Sequence, residues 1–189
     1  MRLLGRIVLL VVVAAGAAVG YAVMTGLDAR ATPGSIERIV MGRLRRLAIP
    51  GEVRERVNPA PSDVETIDGA MEHFADHCAS CHGNDGSGDT AIGRGLYPKP
   101  PDMRQPATQG QTDGELFWVI EHGVRFTGMP AFATGTADGE RASWALVRFI
   151  RRLPALTAEQ IDRMQAMNPV PPAETRHRIE EEQFLEGAH

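Results

Sequence analysis

The chain has 189 residues, enough for one domain of ordinary size plus extensions. Its two cysteines, Cys78 and Cys81, exclude a disulfide framework and a four-cysteine zinc site. The net charge of -4 is unevenly spread, with nine arginines against four acids in residues 1–58 and an acidic excess afterwards; this argues against nucleic acid as a partner and fits a protein held near anionic lipid.

Arg2 and Arg6 precede an unbroken uncharged run from Ile7 to Met24. At about 1.5 Å per residue that run reaches roughly 27 Å, close to the hydrocarbon thickness of a bilayer. Residues 1–31 therefore read as a membrane anchor. The positive-inside rule places the N-terminus in the cytoplasm and everything after Asp28 in the periplasm or its equivalent. Ala29-Arg30-Ala31 also matches a signal-peptide cleavage site, so a cleaved signal is the alternative, although the apolar run is longer than a usual signal core.

Residues 32–61 are a basic connector. Ile36, Ile39, Val40, Leu44 and Leu47 recur at helical spacing with arginines on the other face. This predicts an amphipathic helix, lying along the lipid headgroups or serving as a solvated spacer. Asn58-Pro59-Ala60-Pro61 then breaks the chain.

Residues 62–154 read as a domain of helices joined by Gly- and Pro-rich loops. Ser62-x-x-Glu65 resembles a capping box opening a helix that runs to the cysteines. Thr112-Asp113-Gly114-Glu115 opens a second helix, ending with His122 before Gly123. Asp138 begins a third, through Trp144, Leu146, Val147, Phe149 and Ile150, stopped by Pro154. No stretch alternates like a strand, so the expected class is all-α. Residues 155–189 form an acidic tail. There Thr157-x-x-Gln160 caps a short helix to about Met167, and a charged helix is expected from about Glu174 to Leu185. Phe184-Leu185, set among glutamates, reads either as a docking element or as part of a solvated tail.

Cys78-Ala79-Ser80-Cys81-His82 is the C-x-x-C-H signature of c-type haem attachment. Two thiols at this spacing on a helical turn can each add to a vinyl group of one porphyrin, which places His82 beneath the iron. C-x-x-C alone would suit a redox disulfide or half a zinc site, but the following histidine and the exported location favour haem. His73 and His77 stand at i, i+4, which is metal-ligand spacing. With no third ligand evident, they read as exposed helix residues.

Carried by this motif, the chain resembles the class I cytochromes c, most of all the small haem subunits and monohaem cytochromes of bacterial respiratory chains. The resemblance spans about 62–153. It rests also on His82-Gly83-Asn84-Asp85-Gly86-Ser87-Gly88-Asp89, Tyr97-Pro98-Lys99-Pro100-Pro101-Asp102, Gly128-Met129-Pro130-Ala131-Phe132 and the closing Trp144–Pro154 helix. It implies an all-α fold around one covalent haem c, with His82 and Met129 as axial ligands to the iron. His/Met ligation raises the reduction potential. Met103 reads as packing at the haem edge, and His122 as a helix-end cap. Phe74 is expected where the N- and C-terminal helices cross, facing Leu146 and Phe149 or Trp144. A carbonyl from Pro98–Pro100 is expected to orient His82, and Arg94, Tyr97 and Lys99 to meet the haem propionates.

No catalytic constellation appears in the sequence. The resemblance therefore implies an electron carrier, not an enzyme: a single-pass protein of the inner membrane with its haem domain in the periplasm. Its expected partners are redox proteins of a respiratory chain, such as a quinol-oxidising complex as donor and a terminal oxidase as acceptor. The alternative is a fixed haem subunit of a larger membrane oxidoreductase. A haem sensor or peroxidase would need an open sixth position, which Gly128-Met129-Pro130 opposes.

Overall fold

A computed structural model describes residues 2–25 and 28–170. The expected helix Glu174–Leu185, with Phe184 and Leu185, lies outside the described residues. Among those described there are helices and turns and no strand, so the all-α class is observed.

Helix α1, Arg2–Thr25, contains the one described stretch long and apolar enough to cross a membrane, and none of that stretch is buried against the rest of the protein. Helix α2, Ser35–Ala48, is followed by the single turn α3, Gly51–Arg54. No residue of α2 is buried and its apolar side chains Ile36, Ile39, Val40, Leu44 and Leu47 are exposed, whereas Ile49, between the two helices, is only 2 % exposed. α3 packs on the start of a later helix at Gly114, where a Cβ would collide with the Val53 carbonyl. Next, Asn58 is buried and its side-chain amide donates to the Trp144 carbonyl at 3.0 Å. Arg148 donates back to the carbonyls of Ala60 and Asn58, at 3.0 and 3.1 Å. The Pro-rich break is thus strapped to the last long helix.

Helix α4, Val64–His73, is capped one residue later than the sequence suggests. Asp63, not Ser62, accepts from the Thr66 amide at 2.8 Å, and a carboxylate there also suits the positive end of the helix dipole. The helix does not run straight to the cysteines. It widens into a π turn over Phe74–Cys78, where the Ala79 amide reaches the Phe74 carbonyl, and resumes as α5, Ala79–His82. Such insertions tend to mark functional positions.

After the loop with its 3-10 turn Gly93–Gly95 come α6, Pro106–Gln109, and α7, Asp113–His122. α7 carries the expected capping box of Thr112 and Glu115. Helix α8, Ala137–Arg152, and α9, Ala158–Gln165, complete the described chain, and the Thr157/Gln160 box caps α9 as expected. Pro154 sits in a 3-10 turn that ends α8.

The core forms where α4, the π turn, α7 and α8 meet. Phe74 packs on Phe149 with ring centroids 5.2 Å apart, and Phe117 stacks on Trp144 at 4.1 Å. Met71, Val147 and Met164 are buried with them. Arg151 holds α8 to the α6–α7 turn through Asp113 and the carbonyls of Gln109 and Gln111. Each half of this framework presents one wall of the site.

Candidate functional site

A cavity of about 350 Å³ opens between the π turn with α5, the Leu96–Met103 loop, α7 and the loop after α7. Cys78, Cys81, His82, Lys99, Met103 and Met129 all line it, as do Phe74, Leu116, Ile120, Phe132, Leu146 and Ile150. Its walls are therefore mainly aliphatic and aromatic. Among the described residues no aspartate or glutamate lines it.

Two stretches of backbone set the donor atoms. The first is the motif segment. Its N-terminal end is fixed in the core by Phe74, which is 1 % exposed. Its C-terminal carbonyls are taken up by the next loop: Thr90 Oγ1 donates to the carbonyls of Ser80 and Cys81, at 2.8 and 3.2 Å, and the Gly88 amide to that of His82 at 2.7 Å. This satisfies the last turn of α5, which would otherwise leave those acceptors open.

The second stretch runs from the end of α7 to Ala133. Gly123 leaves the helix with φ of 64°, and a Cβ there would meet the Met129 carbonyl, so glycine permits the return of the chain. The Val124 amide donates to the Met129 carbonyl at 3.1 Å, and the Met129 amide to Thr127 Oγ1 at 3.1 Å. Phe132 and Ala133 donate to the carbonyls of Ile120 and Glu121, at 3.0 and 3.1 Å. Met129 is thus held half-buried on a turn fixed at both ends.

The electrostatics separate this C-x-x-C from a redox disulfide. Burial, with Cys81 beside it, pushes the Cys78 thiol up to about 12. Redox-active C-x-x-C pairs instead have lowered pKa values, because the thiolate is the nucleophile. Both thiols are free. Burial lowers the pKa of His82, which keeps the imidazole neutral as a metal ligand requires. Its Nδ1 is buried and has no partner among the described residues. The carbonyl expected from Pro98–Pro100 does not reach it: the Pro100 carbonyl packs instead against Gly88, where a Cβ would lie 2.5 Å away. An apolar cavity holding two thiols, a neutral imidazole and a thioether fits a flat apolar macrocycle with a central metal.

Of the candidate ligand and haem-contact residues singled out in the sequence, the cavity gathers Cys78, Cys81, His82, Met129 and Lys99, and His77 also lines it. Arg94 and Tyr97 are not among its lining. Arg94 is exposed and pairs with Asp89 at 2.6 Å, and the Tyr97 hydroxyl donates to Glu37 at 2.6 Å. Met103 is buried at the cavity wall, as a packing residue would be. His122 stacks on Trp118, with its Nδ1 3.1 Å from the Trp118 carbonyl at the helix end. His73 and His77 meet edge to face at 4.9 Å, and His77 pairs with Asp76. No group of three or more His, Cys, Asp or Glu able to hold a metal occurs among the described residues. Sequence reasoning missed Arg45, which reaches the cavity from α2.

The profile of one family, described as cytochrome C oxidase, cbb3-type, subunit III, matches residues 65–150. No curated protein matches the chain. The matched stretch begins in α4, ends in α8 and contains the C-x-x-C-H segment and the Met129 loop. Residues 65–150 are therefore a c-type cytochrome domain, an electron-transfer haem domain that carries haem c and its iron covalently.

Proposed function

We propose that the chain is a single-pass, membrane-anchored monohaem cytochrome c whose domain faces the periplasm and passes single electrons along a respiratory chain. One observation carries this reading: a single apolar cavity gathers Cys78, Cys81, His82 and Met129 from two segments far apart in sequence. Haem c supplies a one-electron Fe(III)/Fe(II) couple. Cys78 and Cys81 would hold it covalently through their two sulfurs. His82 and Met129, which both line the cavity, would hold the iron. The motif segment is fixed by Phe74 in the core and by hydrogen bonds from Thr90 and Gly88, and the Met129 loop by hydrogen bonds at both ends, so the ligand set would reorganise little between oxidation states, and a neutral thioether favours Fe(II). Arg2, Arg6 and the apolar α1 support a membrane anchor with its N-terminus in the cytoplasm. The partners are redox proteins, with a quinol-oxidising complex as donor and a terminal oxidase as acceptor.

Replacing Cys78 or Cys81 by alanine removes one thioether, and replacing both removes all covalent attachment. Haem staining of denaturing gels is expected to be lost in the double variant. A double variant that still stained like wild type would refute the assignment.

A second reading has one observation in its favour. The matching family is described as a subunit of an oxidase, which suits a fixed haem subunit of a larger membrane oxidoreductase.

A further inference from the structure

Helix α2 lies outside the matched residues, yet one of its side chains, Arg45, lines the cavity. Near its start, Glu37 accepts the Tyr97 hydroxyl. Near its end, Arg46 pairs with the buried Glu115 at 3.6 Å, and Ile49 is buried. Between these two anchorages Arg45 turns inward and lines the cavity.

The guanidinium of Arg45 is poorly provided for. Its Nη2 reaches the Gln111 side-chain oxygen at 3.4 Å, a long contact, and its Nε is buried with no partner among the described residues. The carboxylate that acts on it is Glu115, and both of its oxygens are engaged, one with Arg46 and the other accepting the Thr112 amide at 2.9 Å. The other titratable side chains lining the cavity are Lys99, His77, His82 and the two cysteines, and none is an acid. Arg45 is half-buried, and a cation partly withdrawn from water is disfavoured unless hydrogen-bond acceptors or an opposite charge face it. The arrangement therefore asks for an anion from whatever fills the cavity. The periphery of haem carries its own anions, the two propionate carboxylates.

We infer that Arg45 holds a haem propionate through its Nε and Nη groups, so that the haem itself fastens the connector helix onto the cytochrome domain. The inference rests on the haem reading above. A planar guanidinium matches a carboxylate with two parallel hydrogen bonds, which a lysine does not reproduce. Burial draws the Arg45 pKa down while Glu115 opposes it. The consequence is mechanical as well as electrical. α2 would sit close against the domain whenever haem is present, and the positive charge beside the porphyrin would favour Fe(II).

The test uses the full chain with haem attached. Arg45→Gln and Arg45→Lys are compared with wild type by spectroelectrochemistry at about pH 8, where carboxylates are ionised. The propionate bending mode is followed by resonance Raman. Without the guanidinium, an ionised propionate stands uncompensated and stabilises Fe(III). Arg45→Gln is therefore expected to lower the reduction potential and shift the mode. Arg45→Lys is expected to keep most of the potential and still shift the mode, because the fork is lost. A merely structural role in docking α2 would move neither signal. An Arg45→Gln protein with attached haem, wild-type potential and an unmoved mode overturns the inference and leaves the haem reading intact. Should Arg45→Gln fail to accumulate, an unmoved mode in Arg45→Lys overturns it equally. Wild-type protein without covalent haem would overturn the haem reading, and this one with it.

Discussion

Met129 is the residue on which a closed carrier and an open sensor or peroxidase differ. Its loop leaves little freedom, since Gly123, Thr127 and the amides of Val124 and Met129 fix the turn around it. If its sulfur binds iron, the oxidised protein shows the weak charge-transfer band near the red edge of the visible spectrum. Met129→Ala is then expected to abolish that band, admit external ligands such as CO and lower the potential, because a soft neutral ligand that favours Fe(II) is lost. Met103→Leu is expected to keep the band and cost under about 1.5 kcal/mol, as a volume-conserving exchange at a buried wall. Loss of the band in Met103→Leu and its survival in Met129→Ala would reverse the assignment. These residues could be read in the sequence because their chemistry is local: C-x-x-C-H and Gly-Met-Pro each put donor and backbone constraint within five positions. Arg45 could not be read in that way. It is one arginine among several on an amphipathic helix, and only the long-range docking of α2 turns it inward.

At the scale of elements, the helices whose ends are written in side chains were legible, as the Thr112/Glu115 and Thr157/Gln160 boxes show. The π turn was not, since its extra residue follows from seating Phe74 against Phe149 while the cysteines face the cavity, and no propensity encodes that. Nor was the seat of the connector. Its apolar spacing pointed to a lipid-facing or solvated helix, and the structure adds a close approach of α3 to α7 at Gly114 that depends on the absence of a side chain. Gly114→Ala tests this contact by setting two effects against each other. Alanine gains about 1 kcal/mol of helix propensity in an open helix. Here its methyl group would overlap the Val53 carbonyl, and overpacking typically costs about 1–3 kcal/mol. The expected result is net destabilisation in denaturant unfolding, with faster amide exchange over residues 51–58. A variant more stable than wild type would mean that α3 does not rest on α7 at this point.

At the scale of the molecule, charge and hydropathy divide the chain into a basic, partly apolar N-terminal third and an acidic remainder. The structure ties the two together. α2 meets the domain at Tyr97, Gln111 and Glu115, and the segment after α3 is laced to α8 through Asn58 and Arg148. Only a few residues, from Asp28 to Gly34, separate that docked connector from the end of α1 apart from Gly26 and Leu27. At roughly 3.5 Å per extended residue such a link spans a few nanometres at most. A retained anchor would therefore hold the cytochrome domain close to the bilayer. It would not roam like a soluble carrier, and its donor and acceptor would meet it at the membrane surface. Extraction of membranes with mild detergent, followed by sizing and intact-mass measurement, tests both parts of this picture. An anchored protein stays with washed membranes, and its mass is that of the 20.5 kDa chain plus one haem. A chain beginning at Thr32 and found in the soluble fraction would mean a cleaved signal. A species that elutes alone supports the free, tethered carrier, whereas a stoichiometric partner that survives extraction supports the fixed subunit.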